Sequence, residues 1–155
     1  MSVEGFLEGT ATDHRGRSIG DVLAFSDAEL EDVHDYIQWL FPLPEASAFN
    51  PYAPVLGPDD IAILRRSAVA RRNLERAAER MQRFYRDTDH WLVRSDHNHL
   101  RITRILRCLA LLVDRSRAGA FRDAIEARVA AAGDPVSPES RDYWGRAAAS
   151  SPAED

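Results

Sequence analysis

Apolar residues return every three or four positions along most of this chain, the spacing of one helix face, and no stretch alternates long enough to define a strand. Ser18 is placed to cap a short helix holding Ile19, Val22, Leu23 and Phe25. Ser26 and Glu29 form a capping box, and Leu30, Val33, Ile37, Leu40 and Phe41 follow at offsets of 3, 7, 10 and 11, which predicts one helix ending at Pro42. The stretch 42–58 holds five of the eight prolines together with Phe49 and Tyr52, so it reads as an ordered connector folded back by its aromatic residues. Gly57-Pro58-Asp59-Asp60 opens the next helix, with Ile61 and Leu64 on its apolar side. From about Ala68 to Arg86, Leu74, Ala78, Met81, Phe84 and Tyr85 form an apolar stripe, and Arg72, Arg76, Arg80 and Arg83 a basic one. Ile102, Ile105, Leu106, Leu109, Leu112 and Val113 predict a central core helix over about 98–113. Phe121, Ile125 and Val129 predict another, with Gly133 as its left-handed terminus, and Ser137-Pro138-Glu139 starts the last, which presents Tyr143, Trp144 and Ala147. The expectation is an all-α fold, a single compact bundle of about six or seven helices over residues 18–148, with a flexible, Gly-bearing N-terminus (1–17) and a disordered tail (149–155).

Composition changes this picture little. A length of 155 residues with 45% hydrophobic content suits one core. The longest apolar-rich run, Ile105 to Val113, is interrupted by Arg107 and is too short to span a bilayer. The acidic N-terminal residues do not resemble a secretory leader, so a cytoplasmic location is expected. Cys108, the only cysteine, lies among leucines and reads as a small buried apolar group. All 20 basic residues are arginine, which we read as a GC-rich coding bias of bacterial type.

The net charge of -5 is unevenly spread: residues 1–58 carry -8, 59–128 carry +6 and 129–155 carry -3. The total argues against a nucleic-acid partner and for pairing of the basic middle within the chain.

Two segments are dense in unusual residues, His34-Asp35-Tyr36-Ile37-Gln38-Trp39-Leu40-Phe41-Pro42 and Asp96-His97-Asn98-His99-Leu100-Arg101-Ile102-Thr103-Arg104-Ile105, and they carry the strings HDYIQWLFP (34–42) and NHLRITRIL (98–106). Both strings, with weaker matches at Arg83-Phe84-Tyr85 and Tyr143-Trp144, resemble the conserved region of the opioid growth factor receptor family over roughly residues 18–148. The resemblance implies an all-helical domain. From the vertebrate members it also implies binding of an enkephalin peptide, negative control of cell proliferation, and a nuclear, perinuclear and membrane-associated location.

The residues suggest a pocket for a peptide or small anionic ligand. In a helix starting near Asn98, the residues Arg101, Thr103, Arg104 and Arg107 lie away from the apolar stripe, and Asp96, His97, Asn98 and His99 stand at its N-terminal end, where an anion is favoured. His34, Gln38 and Trp39 are expected to complete the pocket. A plainer account has Asp96 or Asn98 as the helix cap, the histidines bonded to backbone and the arginines paired with the acidic N-terminal third. A metal-dependent hydrolase built on His34, Asp35, Asp96, His97 and His99 is the alternative, though further ligands in fixed order are missing. A protein-interaction module using Trp39, Trp91 and Trp144 is a third. No nucleophile elbow, phosphate-cradling glycine loop or Cys-x-x-Cys pair occurs, so catalysis is the minority reading and no cofactor is implied.

Overall fold

Within the stretch 1–17, expected to be flexible, residues 3–8 form a helix. In the computed structural model, which describes residues 2–150, Ser2 accepts the Gly5 amide and caps α1 (Val3–Glu8), and Gly9, in the left-handed region at φ 82°, closes it. Val3, Phe6 and Leu7 are buried, and Phe6 meets the edge of Trp39. All of the expected tail beyond Ser150 lies outside the described residues.

Two compact units make up the chain, Met1–Ala77 and Ala78–Asp155. The first contains α1, α2 (Ile19–Leu23), α3 (Asp27–Asp32), α4 (Ile37–Leu40) and α5 (Pro58–Arg66), with α1 packed on α4 and α5. Capping boxes start α2 at Ser18 with Asp21 and α3 at Ser26 with Glu29. Helix α6 (Ala68–Asp87) contributes Ala70, Leu74 and Ala77 to the buried set of the first unit and Ala78, Met81, Phe84 and Tyr85 to that of the second.

The single helix expected from Ser26 to Phe41 is two helices. Val33 turns extended at φ -86° and ψ 128°, and the Tyr36 hydroxyl donates to the Leu30 carbonyl at 2.7 Å. In an unbroken helix that carbonyl would take the His34 amide, so Tyr36 supplies a side-chain donor where the backbone departs. Asp35, two residues into the break, is drawn to arginines outside the helix. The apolar period survives because Ile37, Leu40 and Phe41 still face the core.

The connector 42–57 is held by side chains bonding backbone. Ser47 Oγ accepts from the Asn50 amide, Asn50 Oδ1 accepts from the Tyr52 amide, and the Leu56 amide donates to the Leu43 carbonyl at 3.0 Å. Its aromatic residues do not act as the expected apolar anchors, for Phe49 is 85% and Tyr52 70% exposed.

In the second unit α7 (His97–Leu112) packs against α8 (Arg115–Ala131) and α9 (Pro138–Ala148), which also touch each other. Gly133, at φ 85°, takes the left-handed position after α8, and Ser137 caps α9. Neighbours on more than one side leave α7 little solvent face: Asn98, His99 and Arg101 are buried along with Leu106, Leu109, Leu111 and Leu112, and Leu100 is exposed. The polar side that the sequence assigned to solvent is therefore partly interior. Among the described residues no helix is long and apolar enough to cross a membrane.

Candidate functional site

A turn and a helix break in the first unit build one polar cluster. Asp13, buried, accepts from the Arg15 and Arg17 amides and from Arg17 Nε at 2.7 Å, folding 13–17 tightly around Gly16 at φ 74°. The turn aims Arg15 and Arg17 at Asp35, whose carboxylate accepts from Arg15 Nε at 3.0 Å and from the Arg17 terminal nitrogen at 2.9 Å. Burial works against that charge, but the hydrogen bonds and positive charge of Arg17 and Arg15 outweigh it and hold the Asp35 carboxyl below its ordinary range.

His14 is fixed from three sides. Trp39 Nε1 donates to its Nδ1 at 3.1 Å. An indole N–H can only donate, so Nδ1 accepts and Nε2 carries the proton, facing an Asp35 oxygen at 3.4 Å. The imidazole lies nearly parallel to Trp39 (centroids 6.1 Å, 16°) and to Tyr52 (5.6 Å, 11°). The result is a run of three rings from the core to solvent, Trp39 joined edge to edge with His14 through the N–H···N bond and Tyr52 lying parallel to His14 on the open side. A recess of about 840 Å³ opens beside it, lined by His14, Arg15, His34, Asp35, Asn50 and Tyr52, with Val33 and Phe49 as its apolar part.

Of the residues predicted from the first motif, His34 lines this recess and is exposed. Gln38 and Trp39 are buried behind it, Gln38 accepting from the Asn50 amide group at 3.5 Å and Trp39 holding His14. The sequence reading missed His14, Arg15 and Asn50. The signal for the first two was the charged string Asp13-His14-Arg15-Gly16-Arg17, whose alternation of acid, base and glycine marks a side-chain-closed turn.

The residues predicted from the second motif belong to the second unit, where most of their polar atoms are taken by the scaffold. Asp96 caps α7, accepting from the Asn98 amide and side-chain nitrogen, each at 2.9 Å. These bonds hold its carboxyl below the ordinary value despite the opposing effect of burial. Asn98 accepts from the Tyr85 hydroxyl at 3.2 Å. His99 Nε2 donates to the Trp91 carbonyl at 2.8 Å, and its own carbonyl accepts from Trp144 Nε1 at 3.0 Å and from Thr103 at 3.1 Å. Arg101 is buried and Arg104 half-buried, while His97 is exposed beside Asp96. Here the plainer account of cap and backbone-bonded histidine describes what Asp96 and His99 do.

The remaining candidates resolve simply. Trp39, Trp91 and Trp144 are all buried, so the tryptophans form no exposed contact surface. Cys108 is buried, and burial pushes its thiol up to about 12. Among the described residues no group of three or more His, Cys, Asp or Glu side chains could hold a metal ion.

A family model for the opioid growth factor receptor conserved region matches residues 21–90, a span that contains the first motif and the helix break. Over those residues, 70 of its 155, the chain is similar to the opioid growth factor receptor conserved region. The mouse protein named opioid growth factor receptor is 39% identical over 101 residues, covering 54% of this chain and 16% of the mouse protein. The human protein of the same name is 36% identical over 104 residues, covering 54% and 15%. The chain thus spans about a sixth of the length of the curated relatives it matches. No solved structure matches. Within the family-matched span, Asp35, Tyr36, Trp39, Asn50 and Tyr52 build the recess and its support, whereas His14 and Arg15 precede it and Asn98-His99 follow it.

Proposed function

We propose that this chain is a ligand-binding module whose recess in the first unit receives a short peptide. An aromatic side chain of the peptide stacks on the open face of Tyr52, and a carboxylate of the peptide meets Arg15. The observation that carries this reading is Tyr52, 70% exposed yet held parallel to a histidine that Trp39 and Asp35 fix in place. A ring already immobilised offers stacking area with little further ordering cost, the property that makes tyrosine common in binding surfaces. Arg15 supports it as well: its side chain lines the recess, is largely exposed and is anchored to Asp35 through Nε. The name shared by the relatives, receptors of an opioid growth factor, is consistent with a binding role.

Calorimetric titration tests the reading. Short peptides bearing tyrosine or phenylalanine and a free carboxyl terminus, an enkephalin among them, are compared with the same peptides carrying alanine in place of the aromatic residue. Binding should require the ring, and Tyr52→Ala should weaken it about tenfold, the worth of one aromatic contact. Equal heats for aromatic and alanine peptides, or for wild type and Tyr52→Ala, would overturn the assignment.

A further inference from the structure

The second unit carries a separate cleft of about 600 Å³ between α6 and α8. Ala124 and Ile125 of α8 and the ring of Tyr85 give it an apolar floor. The α6 rim is one helical face, since Glu79, Gln82, Arg83 and Arg86 fall at offsets of 0, 3, 4 and 7. Arg128 stands on the α8 side.

The charges on that rim differ in how far they are already committed. Arg86 is tied to Asp87 through Nε at 2.8 Å and a terminal nitrogen at 3.2 Å. Arg128 donates one terminal nitrogen to the Thr88 carbonyl at 3.2 Å, while its Nε is buried with no acceptor. Arg83 is exposed on α6. With Arg86 neutralised by Asp87, Arg83 and Arg128 against Glu79 leave this cleft net positive, in a chain whose net charge is -5.

We infer that the α6/α8 cleft is a docking site for an acidic segment of a protein partner, one that sets an apolar side chain on the Ala124–Ile125 floor between carboxylates facing Arg83 and Arg128. Charge complementarity selects the occupant, and the apolar floor distinguishes it from a simple polyanion site. A nucleic acid fits less well, because the one aromatic ring of the cleft, Tyr85, is buried and cannot serve as a base-stacking platform. The site is independent of the recess in the first unit, and its residues are not those of the peptide reading above.

The test uses the whole chain and a fluorescent amphipathic peptide of glutamate and leucine, set against a lysine–leucine peptide of the same order and a single-stranded oligonucleotide. The acidic peptide should bind most tightly, lose affinity as salt is raised, and weaken about tenfold on Arg83→Glu, a surface change that leaves the helical circular dichroism intact. Ala127→Trp, which places bulk on the exposed α8 wall, should block it independently of charge. Absence of binding, equal binding of the lysine peptide, tighter binding of the oligonucleotide, or indifference to both substitutions would overturn the inference.

Discussion

The two nine-residue motifs use similar letters to opposite ends. In His34 to Pro42 the polar groups break a helix, and Asp35 and Trp39 hold a third residue, His14, at the wall of a recess. In Asn98 to Leu106 the polar groups turn inward: Asn98 bonds Tyr85 and Asp96, and His99 joins Trp91 to Trp144 through its ring and its carbonyl. Both histidines, His14 and His99, have one nitrogen donating and the other accepting. The difference lies in what stands behind the ring. His99 meets the buried Trp144, whereas His14 continues to Tyr52 and solvent. A buried polar network that closes on itself specifies a fold, and one that ends on an exposed ring offers a surface.

Substitutions sharpen this contrast, beginning with the largest effect. Trp144→Ala removes a fully buried indole and orphans one bond to the His99 carbonyl, so denaturant unfolding should show a loss of about 3–5 kcal/mol. A loss under about 1 kcal/mol would mean that α7 and α9 are not packed as described. His14→Ala leaves the Trp39 indole N–H without its acceptor in a half-buried place, which should cost about 1–3 kcal/mol and abolish peptide binding together.

Two aspartates should differ in what amidation costs. Asp35 ionises below its ordinary range in the folded chain, so the stabilisation it contributes is full above the unfolded aspartate value, near pH 4, and is lost as the pH falls through the lower folded value. Asp35→Asn should remove that part of the acid transition, because an amide cannot hold Arg15 and Arg17 as a carboxylate does. Asp96→Asn should change stability by only a few tenths of a kcal/mol, since asparagine caps a helix about as well as aspartate. Asp96, also held below its ordinary range, gives up its own part of the acid transition as asparagine, so the distinction is read at neutral pH, where an equal loss of stability in the two variants would break it. The smallest effect is expected at Tyr52→Ala, within about 0.5 kcal/mol of wild type in stability, because the ring is exposed.

Most of the helices were legible in the sequence because caps and period agreed: Ser18, Ser26, Gly57-Pro58, Gly133 and Ser137-Pro138 each stand where an element starts or stops. Helix α1 was legible too, in Ser2 and Gly9 around Val3, Phe6 and Leu7, but six residues give too little period to stand out. The break between α3 and α4 was not legible. It depends on the Tyr36 hydroxyl reaching Leu30 and on Asp35 meeting Arg15 and Arg17 from a turn some twenty residues earlier, and periodicity does not register such long-range bonds. For the same reason the candidate site was read from the residues dense within each motif. His14, Asn50 and Tyr52, which complete the recess, come from other segments of the chain.

One nuclear magnetic resonance experiment bears most directly on the division of labour between the motifs. An aromatic peptide is titrated into isotopically labelled protein, and shifts are followed at the Trp39 indole N–H and the amides of His14, His34, Asn50 and Tyr52, against those of Asn98, His99 and Thr103. The structure predicts saturable shifts in the first group and a silent second group. Saturable shifts in the second group, with the Trp39 indole unmoved, would contradict it.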